Sequence, residues 1–165
     1  MNILVLCTGN SARSILAEAI FNRLGQGKLS AYSAGSKPVG AVNPVALSLL
    51  AAEGYDVSGF RSKSWDEFSG SGAPDLDIVV TVCGNAAGET CPIWIGAPIT
   101  VHWGFPDPAG VDGSEQDKLT AFNKIYRGLE SNVSAFLRLD LASWNPEDLR
   151  KDMLEIHAEA EPVNF

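Results

Sequence analysis

Residues Cys7 to Ser14 read Cys-Thr-Gly-Asn-Ser-Ala-Arg-Ser and come directly after the apolar run Ile3-Leu4-Val5-Leu6. A cysteine, five residues and an arginine thus stand between an expected strand and an expected helix. The chemistry this suits is nucleophilic attack on a bound oxyanion. Thr8, Gly9, Asn10, Ser11 and Ala12 are small or polar, which leaves their main-chain N–H groups free to turn inward. Successive N–H groups at a helix N-terminus attract an anion. Arg13 adds a planar, two-pronged donor for the same anion. That field also favours the thiolate of Cys7, the reactive form. Ser14 falls in the first helical turn, where its hydroxyl can donate to the sulfur. Asn10 suits a left-handed turn within the loop. A cysteine that merely packs in a core would leave the polar loop and the arginine unexplained.

Three further residues carry chemistry. Asp107 lies between Pro106 and Pro108, whose rings restrict the backbone and aim the carboxylate. It reads as a general acid for a leaving oxygen. Alone, an Asx-turn would explain it equally well; beside a Cys-x5-Arg loop, catalysis is the favoured reading. Cys83 and Cys91 are separated by a small, glycine-containing loop. They admit three readings: a zinc pair, a static disulfide or a redox relay. A lone cysteine pair without nearby histidines makes a poor zinc site. A static disulfide suits an oxidising compartment. A relay requires only that thiolates approach one another in succession. His102 and His157 read as structural or surface residues, and the four tryptophans as packing.

The elements that must position these residues emerge from pattern. Asn2 to Leu6 is apolar without alternation, as in a buried parallel strand. A helix is expected over 14–24, closed by Gly25, and a second strand over 29–34. Asn43-Pro44 is an N-cap with proline at the first helical position, and that helix runs to Gly54. Ser64 caps a short helix through Phe68. Leu76 to Val82 is the strongest strand signal, and Ile99 to Trp103 supplies a fourth strand. A long helix is expected over 115–139, and one more from Asn145-Pro146 to about Ala160. The alternation predicts a three-layer, doubly wound α/β sheet of four parallel strands with helices on both faces. Ligands bind at the carboxyl ends of strands in such sheets. Cys7, Cys83 and Asp107 each fall just beyond such an end. The chain divides into one catalytic domain over 1–140 and a C-terminal helical extension over 141–165, whose acidic helix admits three readings, a lid, a dimer contact or a solvated appendage, the last being favoured.

With 165 residues, 45% of them hydrophobic, one sound core is expected. No stretch is long and apolar enough to span a membrane. The expected first strand leaves no room for a secretory signal. A net charge of −8 argues against nucleic acid and anionic membranes as partners. It does not exclude a small anion held by donors at short range. An odd number of cysteines favours a reducing compartment, and the cytoplasm is expected.

Cys7-Thr-Gly-Asn-Ser-Ala-Arg-Ser together with Asp107-Pro108 resembles the low-molecular-weight protein tyrosine phosphatases. The fuller resemblance is to the arsenate reductases built on that fold. It is carried by Tyr32-Ser33-Ala34-Gly35, Val80-Thr81-Val82-Cys83-Gly84 and His102-Trp103-Gly104-Phe105-Pro106-Asp107-Pro108-Ala109, and it spans roughly residues 2 to 139. The resemblance implies that arsenate binds in the Cys7 loop and that Cys7 attacks the arsenic, with Asp107 assisting the leaving hydroxyl. Cys83 then attacks Cys7 and releases arsenite, and Cys91 takes over the disulfide for reduction by thioredoxin. Glutaredoxin with glutathione fits less well, because an internal disulfide calls for a dithiol reductant. No cofactor is implied. The chain departs from the pattern at Ala12, where many relatives carry a second cysteine, and in a Cys83–Cys91 spacing one residue longer. Some relatives hold a monovalent cation at positions matching Asn10, Glu18 and Ser33; the fourth, acidic position falls at Lys63, whose ammonium is expected to replace the ion, so no metal is required. A phosphotyrosine phosphatase would use the same Cys7, Arg13 and Asp107, but it has no use for Cys83 and Cys91, and it favours an aromatic residue where this chain has Ala109-Gly110. A non-enzymatic oxyanion-binding module is the third reading.

Overall fold

The computed structural model describes residues 1–88, 94, 96 and 98–165. Strand β1 (Asn2–Cys7) is buried from Ile3 onward and lies inside the sheet. It pairs in parallel with β2 (Ser30–Gly35) on one side and β3 (Ile78–Thr81) on the other. Strand β4 (Ile99–His102) completes the order β2-β1-β3-β4, all parallel. The expected strand over 76–82 is shortened to the four residues that pair with Ile3–Leu6.

The unbroken apolar run of β1 is explained by cover on both faces. Ile3 and Val5 join the larger cluster with Ile15, Leu16 and Ile20 of α1 (Arg13–Leu24) and Phe122, Ile125, Leu129 and Val133 of α4 (Glu115–Phe136). Leu4 and Leu6 face the other way, against Phe68, Leu76, Val79 and Trp94. Phe68 ends a 3-10 turn, Trp65–Phe68, capped by Ser64 as expected from its residue type. Helix α2 (Pro44–Ala52) packs on α4, and its Asn43 side chain caps the Val45 N–H. The tryptophans pack as expected: Trp103 is fully buried and stacks on Phe21, and Trp94 is nearly buried.

Two expectations are corrected. The residues after Cys83 begin with a short helix, α3 (Gly84–Gly88), rather than a plain loop. Its glycine and alanine composition carries almost no apolar periodicity, so nothing in the pattern announced it. The C-terminal helix α5 (Pro146–Glu159) is no solvated appendage: Leu149 and Met153 are buried in the main core, and the helix packs on β4 and α4. The apolar positions on α5 are few, which is why the acidic face dominated its reading. Among the described residues, no helix is long and apolar enough to cross a membrane.

β2 and β3 leave β1 on opposite sides, which opens a crevice beyond the carboxyl end of β1. Such a point of reversal is where open α/β sheets bind ligands.

Candidate active site

The loop between β1 and α1 is held from outside. The Thr8 carbonyl accepts from Lys37 N–H (3.0 Å), the Gly9 carbonyl from Val39 N–H (3.0 Å), and the Ser11 carbonyl from Asn43 N–H (2.9 Å). The Ala12 carbonyl accepts from Leu16 N–H at 3.0 Å. With carbonyls tied outward, the N–H groups are left for the concave side. Asn10 holds the turn at φ 44°, as its residue type allows. Gly35 pairs with Cys7 in register. A Cβ there would stand 2.4 Å from the Thr8 carbonyl oxygen, so only glycine lets the loop close against β2.

Helix α1 begins at this loop without a side-chain cap. Its N-cap position is Ala12, and its first turn holds no acidic residue. By contrast α2, α4 and α5 are capped by Asn43, Ser114 and Asn145. The uncapped N–H groups and the positive end of the α1 dipole therefore face the crevice, ready for an anion.

Cys7 is buried, and its sulfur lies 2.9 Å from the Ser14 hydroxyl and 3.2 Å from Asn10 N–H. The direction of the first contact is set by a buried network. Lys63 N–H donates to Asn10 Oδ1 at 2.8 Å, which fixes the amide orientation. Asn10 Nδ2 then donates to Ser14 Oγ and to Ser33 Oγ, each at 2.9 Å. Ser14 Oγ already accepts, so its own proton is free for the sulfur, an arrangement that suits a thiolate. Ser33 donates onward to the Glu18 carboxylate. The Lys63 ammonium, 8% exposed, sits 3.3 Å from Glu18, 3.2 Å from Ser33 Oγ and 3.4 Å from the Arg61 carbonyl. The Lys63 side chain thus reaches Glu18 and Ser33, while its main chain holds Asn10. Glu18 and Ser33 were reached at the sequence level only through the family resemblance; no local motif signals them.

Arg13 closes the other end. Its Nη1 donates to the Phe105 carbonyl at 2.9 Å, and its Nη2 lies 3.4 Å from Asp107 Oδ2. The Asp107 carboxylate also accepts from Ala109 N–H at 3.2 Å and so caps the turn Pro108–Gly110. The Asx-turn and the chemical reading of Asp107 are therefore compatible. Asp107 remains half exposed, open to the crevice.

Cys83 lies just beyond β3, buried, with its sulfur 3.6 Å from the Thr8 hydroxyl and 3.4 Å from Ala86 N–H. Both cysteines are reduced. Cys7, Arg13, Cys83 and Asp107 line one pocket of about 390 Å³, with Val39, Asn85 and Ala109 at its walls. Cys91 lies outside the described residues. Val39 and Asn85 were not foreseen; loop residues carry no periodicity to reveal them. A pocket of this size with a thiol, a guanidinium and an uncapped helix can hold a tetrahedral oxyanion, attack it and deliver a second thiol.

The model of the family described as low molecular weight phosphotyrosine protein phosphatase matches residues 2–153. The "Arsenate reductase 1" of Staphylococcus epidermidis is 40% identical over 134 residues, 81% of this chain and 93% of that protein. The "Arsenate reductase" of Halalkalibacterium halodurans is 36% identical over 134 residues, again 81% of this chain and 93% of that protein. Among solved structures, the arsenate reductase of Archaeoglobus fulgidus superposes with a TM-score of 0.61 at 27% identity, covering 79% of this chain and 94% of that one. The sheet order, the Cys7–Arg13 loop and these matches agree, and the chain belongs to the low molecular weight phosphotyrosine protein phosphatase family.

Proposed function

We propose that this chain is an arsenate reductase that works by a three-cysteine relay. The observation that carries the reading is the presence of a second buried thiol, Cys83, in the same pocket as Cys7, Arg13 and Asp107. The names of the relatives at 36% and 40% identity support arsenate as the substrate.

In this reading arsenate binds on the N–H groups of residues 8 to 14 and on Arg13. The Cys7 thiolate attacks arsenic, a sulfur–arsenic bond forms, and one arsenate oxygen leaves as water with a proton from Asp107. The Cys83 thiolate then attacks the Cys7 sulfur. A disulfide forms, the sulfur–arsenic bond breaks, and its electron pair stays on arsenic, which leaves as arsenite. Cys91 attacks Cys83, frees the Cys7 thiolate and carries the disulfide onward. A dithiol of the thioredoxin type reduces it. Arsenate and one dithiol thereby become arsenite, one disulfide and water. Such a cycle belongs in a reducing compartment, the cytoplasm. The Thr8 hydroxyl and Ala86 N–H beside the Cys83 sulfur supply the contacts a second nucleophile needs.

Phosphotyrosine hydrolysis would use Cys7, Arg13 and Asp107 equally. It leaves Cys83 without a task, and Ala109 stands where a substrate ring would need an aromatic wall. The test is arsenate-dependent NADPH oxidation with thioredoxin and thioredoxin reductase, comparing wild type with Cys83→Ser and Cys91→Ser. Wild type turns over, and each variant is expected to lose more than about 100-fold, as residues acting as a unit do. Arsenate turnover at the wild-type rate in both variants would sink the relay.

A further inference from the structure

The C-terminal segment from the last residue of the family match onward touches the loop that holds Arg13. Phe105 is the hub of that loop. Its N–H donates to the Val82 carbonyl at 3.1 Å, next to Cys83, and its carbonyl accepts from Arg13 at 2.9 Å. The main chain of one residue thus links the guanidinium of the anion site to the strand end that carries the second thiol. The Phe105 ring points away from the pocket, into a groove of about 1140 Å³ between α4, the end of α5 and the chain's last residues.

Two contacts from the C-terminal segment reach this loop, and a third residue of the segment lies beside it. The Trp103 indole N–H donates to the Met153 carbonyl at 2.8 Å, fully buried. The His157 ring packs against the Phe105 ring, with centroids 5.3 Å apart. Val163 and Phe105 both overhang Gly128 and line the same groove: a Cβ on Gly128 would stand 2.7 Å from Phe105 Cε1 and 2.8 Å from Val163 Cγ2, so the two side chains are neighbours there. The tail is pinned at its end by Lys124 Nζ donating to the Asn164 carbonyl at 2.9 Å. His157 is itself oriented by Asn132, whose amide nitrogen lies 3.0 Å from its Nδ1. Burial, with His102 nearby, holds His157 below the ordinary histidine value, so the ring accepts that bond in its neutral form.

We infer that residues 153–164 are a positioning element of the active site: His157 and Val163 seat Phe105, and Phe105 sets the guanidinium of Arg13. The inference rests on the oxyanion role of the Cys7–Arg13 loop but not on the relay. Val163 is half-buried and does not line the pocket of Cys7, Arg13 and Cys83, so it touches no substrate there. Its effect travels through one aromatic ring and one carbonyl, and should therefore appear as oxyanion affinity rather than as loss of fold.

The experiment uses the full chain, Val163→Ser, Val163→Ile and a chain ending at Ala160. The readouts are the Kd for inorganic arsenate by titration calorimetry, each chain carrying Cys83→Ser so that the bound anion is not reduced, the thermal midpoint by circular dichroism, and arsenate-dependent NADPH oxidation by the chains with Cys83 intact. Val163→Ser and the shortened chain are expected to bind arsenate about three- to tenfold more weakly while remaining folded at the assay temperature. Val163→Ile, which keeps the apolar plug, is expected to bind as wild type does. Arsenate affinity within twofold of wild type in both Val163→Ser and the shortened chain would overturn the inference. If the shortened chain unfolds, Val163→Ser decides alone. Weaker binding in Val163→Ile equal to that in Val163→Ser would also count against it, since the seat would then not be apolar packing. A wild type that binds arsenate with tail-dependent affinity but never oxidises NADPH would leave this inference standing and remove the relay.

Discussion

Lys63 is a lysine that is nearly buried, and burial of an ammonium is costly unless it is paired. Its partner Glu18 is itself mostly buried, at 17% exposure. The pair therefore differs from the surface pairs Lys118–Glu115 and Lys151–Glu155, which are worth little. Lys63→Met would leave the Glu18 carboxylate without its cation and remove one donor from Ser33, which also accepts from Asn10. The expected loss is about 3 kcal/mol of stability, read from urea denaturation. A loss under about 1 kcal/mol would show that the pair behaves as a surface pair. The same substitution removes none of the contacts that Cys7 makes directly, so alkylation of Cys7 by iodoacetamide should slow by less than in Ser14→Ala, which removes a direct donor to the sulfur.

At the scale of elements, the site is assembled from the carboxyl ends of the strands. β1 delivers Cys7, β3 delivers Cys83, and the turn after β4 delivers Asp107. The register between β1 and β2 adds a steric condition, because Gly35 lies against the returning loop. Gly35→Ala is expected to push the Thr8 carbonyl off its place and misalign the N–H cradle. Arsenate affinity should fall more than about tenfold, an order set by the loss of a charge-assisted donor or two, while far-ultraviolet circular dichroism stays as in wild type. Wild-type affinity in Gly35→Ala would mean that the loop tolerates a shift the packing forbids. Much of this was legible in the residues alone. The β1 and α1 patterns, the Asn43-Pro44 and Asn145-Pro146 caps and the loop chemistry of Cys7, Arg13 and Asp107 all rest on local signals, and local signals survive folding. Helix α3 was missed because glycine and alanine carry no face to read. Gly35, Val39 and the neighbours over Gly128 were missed because close approach between distant segments leaves no mark on either segment alone. The burial of Leu149 and Met153 was hidden by the acidic residues around them.

Among the described residues, the molecule has one large core between one face of the sheet and helices α1, α2, α4 and α5, with a smaller one on the other face. The groups proposed to react come from positions 7, 13, 83 and 107 and meet in one pocket only when the parallel sheet is complete. Parallel pairing across such separations is slow to form, so the nascent chain carries cysteines that have no anion cradle yet. The uncapped start of α1 has a consequence for the folded molecule as well. A helix end whose N–H groups lack partners is less stable than it would be with a cap, by the worth of the missing hydrogen bonds. Whatever tetrahedral anion enters supplies them. The empty protein is therefore a sensor of oxyanions in the thermodynamic sense. Arsenate or phosphate at about one hundred times its Kd should raise the unfolding free energy by about 2.7 kcal/mol. That rise is measurable as a higher thermal midpoint, present in Cys83→Ser and smaller at the same anion concentration in Arg13→Ala. Occupancy and stability become one quantity, so a substrate-starved population of this protein would be the fraction most exposed to proteolysis.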